Sequence, residues 1–151
     1  MISDENVRQI ALFYLFTLMD EKVALQAAHK TIAQLKAANS KSGWSKSTVV
    51  KALARNYASH RKTLPRHPQN ASGSGPEAAM ILPSGVDFSV WKRFSLDASE
   101  PETIVVVLVN ILGFKEEDVA EGLGISLGTV RYRLGKGISQ MAPLLSEAAG
   151  A

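Results

Sequence analysis

The chain has 151 residues, 46% of them hydrophobic and 7% aromatic, with no cysteine and a formal net charge of +3. That length allows one ordinary domain or two very small ones. The composition favours helices over a sheet sandwich and excludes disulfides, zinc–thiolate sites and thiol nucleophiles. The longest apolar run, Ile10 to Met19, is only half as long as the roughly 20 residues a membrane-spanning helix needs. Asp4 and Glu5 stand before it, where a secretory signal would carry positive charge. A soluble cytoplasmic protein without a membrane role is the expectation.

The first helix is predicted over about Asp4 to Met19, with Val7, Ile10, Ala11, Tyr14, Leu15 and Leu18 on one face. Phe13 and Phe16 widen that stripe, which places the helix deep in a bundle. Asp20 is predicted to cap a second helix running to about Ala38, with Ala24, Ala27, Ala28, Thr31, Ile32 and Leu35 inward. A polar loop leads to a third helix over about Ser47 to Lys62, with Val49, Val50, Leu53, Ala54 and Tyr57 inward and Lys51, Arg55, Arg61 and Lys62 outward. Four prolines and three glycines then mark residues 64–85 as a flexible linker. Beyond it, Asp87 to Phe94 reads as a short helix that brings Phe88, Trp91 and Phe94 together. Ser99 and Glu102 form a capping-box pattern around Pro101, ahead of a helix that ends at Gly113. The run Ile104 to Val109 would also pass as a strand; its spacing and the cap favour a helix. The expected fold is all-α, with two small helical domains (residues 1–63 and 86–151) on a tether.

Charge is unevenly distributed along this chain. Residues 1–66 hold eleven Lys or Arg and four acids, whereas residues 67–151 hold six and ten. No acid occurs between Lys22 and Pro76, although ten Lys or Arg do. Such a stretch is a candidate footprint for nucleic acid. The three histidines, His29, His60 and His67, are scattered, and no phosphate loop, metal spacing or nucleophile elbow is present. No enzyme activity, cofactor or metal is expected.

The most informative stretch is Glu116 to Leu134. Val119, Leu123, Ile125, Val130 and Leu134 supply inner apolar contacts for two short helices hinged at Gly124, where a left-handed residue must stop the first. Ser126 is placed to cap the second helix, with Thr129 at its third position. Arg131, Tyr132, Arg133 and Lys136 follow on it, while Glu116, Glu117, Asp118 and Glu121 crowd the first. That division suits a helix-turn-helix whose second helix enters the major groove of duplex DNA.

These pieces together resemble the group IV, extracytoplasmic-function type of the bacterial sigma-70 family. The resemblance is carried by Gly113 to Leu134 and, more weakly, by Leu18-Met-Asp-Glu-Lys22 and Ala52-Leu-Ala-Arg-Asn-Tyr57. It implies a transcription initiation factor that binds core RNA polymerase, reads the minus-35 element of double-stranded promoter DNA with its helix-turn-helix, and opens the minus-10 element with its first domain. Carried over by position, Leu127, Gly128, Arg131 and Tyr132 would face base edges, with Ser126, Thr129, Arg133 and Lys136 near phosphates. Lys41, Trp44, Lys51, Arg55, Asn56 and Arg61 would meet the displaced strand, which needs cations along its backbone and a ring on which a base can stack. Trp44 packing beneath its loop is an equal alternative.

The polymerase-docking positions would be Gln26, His29 and Lys30. Here the chain departs from the family, because Lys30 stands where a glutamate is usual and reverses the charge. Val49 replaces a tryptophan, and Lys115 replaces a capping serine. Gly135 and Gly137 should loosen the end of the second helix, by up to about 1 kcal/mol each relative to alanine. Three readings stay open: a divergent sigma factor, a sigma-like DNA-binding regulator without polymerase docking, and a sigma mimic that binds an anti-sigma protein.

Overall fold

Seven helices in chain order form the computed structural model, which describes residues 4–38, 44–62 and 88–150. They are α1 (Asp4–Leu18), α2 (Glu21–Ala38), α3 (Lys46–Arg61), α4 (Phe88–Asp97), α5 (Glu100–Val106), α6 (Glu116–Leu123) and α7 (Leu127–Gly150). A wider π-helical turn, Val107–Ile111, continues α5. No strand occurs among the described residues, and the fold is all-α. The predicted linker, residues 64–85, lies outside them.

Local chemistry sets the helix ends. Met19 turns left-handed (φ +59°) and ends α1 at Leu18, the last residue of the apolar stripe and one short of the predicted span. Asp20 then caps α2 as expected, its Oδ1 accepting the Val23 N–H at 3.0 Å. Ser45 caps α3 by accepting the Thr48 N–H at 3.2 Å, so α3 begins at Lys46. The capping box at Ser99 does not form, and the Ser99 side chain makes no capping bond. Glu102 is buried instead, because its carboxylate turns toward Lys136 on α7.

Helix α1 forms the middle of the bundle. Ile10, Phe13, Tyr14 and Phe16 are all fully buried, so apolar contact surrounds most of the helix; Val7 alone of the predicted stripe is exposed. Phe13 meets Tyr14 and Tyr57 edge to face. Two polar links cross this core. The Tyr14 hydroxyl bonds Thr31 Oγ1, which itself donates to the Ala27 carbonyl at 2.9 Å. Asn56 Nδ2 donates to Gln34 Oε1 at 2.8 Å and to the Ala52 carbonyl at 3.0 Å, tying α3 to α2.

The two helical halves, α1–α3 and α4–α7, pack directly against each other. Trp91 is fully buried, donates its indole N–H to the Phe16 carbonyl at 2.8 Å and stacks at an angle between Phe16 and Phe94. Gln9 Nε2 donates to the Leu112 carbonyl at 3.2 Å. Lys46 Nζ reaches Asn6 and Gln9 on α1 and lies 5.5 Å over the Phe114 ring. Arg61 pairs with Glu100 at the edge of the seam.

Helix α6 comes very close to α3. A Cβ at Gly122 would stand 2.6 Å from both Val50 Cβ and Cγ1, and 2.7 Å from the Ser47 carbonyl oxygen. Val50 and Trp91, each predicted to serve its own half, thus contribute to one shared core.

Gly135 stands in open space on α7, while a Cβ at Gly137 would meet Val106 Cγ2 at 2.6 Å. The helix runs through both glycines, because the second is held by close packing on α5. Gly122→Ala should therefore cost about 1–3 kcal/mol through overpacking. Gly135→Ala should stabilise by up to about 1 kcal/mol through helix propensity. Urea unfolding of the two variants beside the parent chain checks this opposition of sign. Asn56→Ala should cost about 0.5–1.5 kcal/mol for its lost hydrogen bonds, in the same assay, without altering the helical content of the folded protein.

Candidate nucleic-acid interface

Helices α6 and α7 meet at a turn whose geometry follows the sequence closely. Gly124 is left-handed at φ +70°, and the Ile125 N–H returns to the Ala120 carbonyl at 3.0 Å, closing the end of α6. Ser126 Oγ accepts the Thr129 N–H at 3.1 Å and lies 2.8 Å from Thr129 Oγ1, capping α7. Val119 and Val130 are fully buried between the helices, with Leu123, Ile125 and Leu134 half-buried around them. Lys115 precedes α6 without a side-chain capping bond, while Glu116, Glu117 and Asp118 in its first turn face the positive end of the helix dipole.

The outer face of α7 is open. Gly128, Arg131 and Tyr132 are exposed, Tyr132 at 68%, and Leu127, Thr129 and Arg133 are half-buried beside them. Ser126 is exposed, with its oxygen engaged in the cap. Arg131 Nε lies 3.6 Å from Glu116 Oε2, with the Arg131 side chain 59% exposed. An ion pair so open to solvent contributes little and breaks readily. Lys136 differs, since its Nζ is 3.3 Å from Oε1 of the buried Glu102.

On α3 the structure separates the predicted strand-facing residues. Lys51 and Arg55 are exposed, and Arg61 is exposed but paired with Glu100. Asn56 is not on that surface. It is 2% exposed with its amide bonded to Gln34 and Ala52, so the expectation of a DNA contact there is corrected. The helical phase is the reason, because Asn56 stands three residues after Leu53 and seven after Val49, both fully buried, and so falls on the inward face. Trp44 is half-buried and packed against the core. Lys41 lies outside the described residues.

Burial and the nearby Glu100 carboxylate push the Tyr57 phenol up to about 12, while Arg61 opposes that rise. Burial likewise carries the Tyr14 phenol well above its ordinary range. Both phenols therefore remain neutral around physiological pH, that of Tyr14 bonded to Thr31.

Gln26, His29 and Lys30 are all exposed on α2, which also carries Lys22 and Lys36 and has Glu21 as its one acid. The outer face of this helix is thus basic. Sequence reasoning missed Lys46 and Gly122, and gave Glu102 a capping role in place of its pairing with Lys136. Gly122 carried a signal, since a glycine inside a helical pattern marks close approach as readily as a break. The roles of Lys46 and Glu102 depend on partners distant in sequence, for which no local signal exists.

Among the described residues, no helix is long and apolar enough to cross a membrane, and no group of three His, Asp or Glu could hold a metal ion. No protein-family profile and no curated protein matches the chain. A solved structure does: the sigma factor RpoE in complex with the anti-sigma factor NepR from Bartonella quintana. It superposes with a TM-score of 0.70 at 17% sequence identity, over 93% of this chain and 92% of that one. The all-α fold of this chain is therefore similar to that of a sigma factor along nearly the whole length of both.

Proposed function

We propose that the chain is a sigma-factor-like transcription factor that binds promoter DNA through a helix-turn-helix formed by α6 and α7 and engages core RNA polymerase through α2. The observation that carries this reading is the capped, solvent-facing start of α7, where Gly128, Arg131 and Tyr132 project from a helix fixed by buried Val119 and Val130. Gly128 lets the helix approach a groove floor closely. Arg131, held only by an open ion pair, is free to form bidentate bonds with guanine. Tyr132 offers a ring and a hydroxyl beside it. Lys51 and Arg55 on α3 supply cations for a second stretch of DNA.

One observation favours a second reading, a sigma-like protein whose main partner is an anti-sigma protein. Helices α3 and α7 both rest on α6, which at eight residues is about 12 Å long. Promoter elements named for positions minus-35 and minus-10 lie about 85 Å apart along a duplex rising roughly 3.4 Å per base pair. A body closed in this way meets only one of them unless its halves part. The solved sigma factor with a similar fold is bound to an anti-sigma factor, which supports a partner of that kind here.

Co-purification with core polymerase followed by transcription from a candidate promoter distinguishes the readings. Retention with initiation supports a sigma factor. Duplex binding without retention supports a regulator, and capture of an anti-sigma protein without duplex binding supports the mimic. Arg131→Ala should cost about 1–3 kcal/mol on duplexes selected by the parent chain from a random library, and should relax preference at one position. An equal loss on selected and random duplexes would make Arg131 a phosphate contact and contradict its assignment to a base.

A further inference from the structure

Glu102 is the one buried carboxylate among the described residues, at 6% exposure. It lies in the first turn of α5, and its two oxygens have different surroundings. Oε1 is 3.3 Å from Lys136 Nζ, whereas Oε2 is buried without a hydrogen-bond partner. The contact around it is tight, because Gly137 lets α7 close on α5 until a Cβ there would stand 2.6 Å from Val106 Cγ2. Two features stabilise such a carboxylate: the Lys136 ammonium and the positive N-terminal end of α5.

Lys136 sits on the same helix as Arg131 and Tyr132, and by position it would be a phosphate contact. Its situation is unlike that of Arg131. Moving Nζ to a phosphate would leave Glu102 buried with neither oxygen paired, which is far more costly than breaking a solvent-exposed ion pair. We propose that Glu102 is a positioning residue for the DNA-reading helix: it holds Lys136 against α5 and thereby withholds one cation from the phosphate backbone. The proposal rests on α7 being the duplex-binding helix. It predicts that DNA affinity is set below what the cations of α7 would otherwise support, and that a neutral residue at 102 releases the missing contact.

The test is the salt dependence of binding by the full-length chain to a mixed-sequence duplex, measured from about 50 to 200 mM salt, where each phosphate contact adds about 0.9 to the log–log slope. Lys136→Ala alone should leave the slope unchanged. Glu102→Gln should steepen it by about one and tighten binding several-fold at low salt. Glu102→Gln combined with Lys136→Ala should restore the parent slope. Circular dichroism confirms that each variant is folded. The double variant and Glu102→Gln keep the test valid if Lys136→Ala alone, which strands a buried charge, fails to fold. A slope flattened by about one in Lys136→Ala, or unchanged in Glu102→Gln, overturns the proposal while leaving duplex binding intact. Absence of duplex binding by the parent chain sinks the reading of α7 and this proposal with it.

Discussion

The close approach of α6 to α3 at Gly122 is the constraint on which the rest of the arrangement depends. With no side chain at 122, Val50 and the Ser47 carbonyl come within 2.6–2.7 Å of where a Cβ would lie. Larger residues would drive the helices apart. With α6 seated there, Phe114 comes under Lys46 and Leu112 reaches Gln9, while Trp91 fills the space beside Phe16. The apolar faces of both halves are thereby removed from water in one core, which a chain this short needs more than two separate small ones would. The same contact fixes where α7 points, since α7 is joined to α6 by a turn with little freedom.

Electrostatics and packing are coupled across this body. The acid-free stretch supplies α2 and α3 with an exposed basic surface, and the acids of the second half are drawn to particular cations. Glu100 meets Arg61 across the seam, Glu116 meets Arg131, and Glu102 meets Lys136. Only the last involves a buried partner. The other two are screened by water and leave their arginines available to a stronger anion. A surface that looks uniformly cationic in sequence is thus graded in structure, from exposed Lys51 and Arg55 to the tied Lys136.

Much of this organisation was legible in the residues themselves. Asp20 as a cap, Gly124 as a left-handed stop and Ser126 as the start of α7 are local hydrogen-bonding choices, and local chemistry decides them. The α1 stripe was legible for a similar reason, though Val7 emerges into solvent in its first turn. Asn56 belongs to a family-like segment that points to DNA, yet helical phase sets it inward, in line with Val49 and Leu53. The Ser99–Glu102 box failed because a distant lysine competed for the carboxylate. Long-range partners of this kind, and the meeting of Trp91 with Phe16, lie 34 and 75 residues apart in sequence. No window of sequence encodes them.

If α7 is the DNA-reading helix proposed above, its start lies against the duplex. Amide hydrogen exchange of the full-length chain, with and without a mixed-sequence duplex at low salt, tests it most directly. New protection should then concentrate between Ser126 and Arg133. Protection confined to α2, or no change on α7 despite bound DNA, would contradict it.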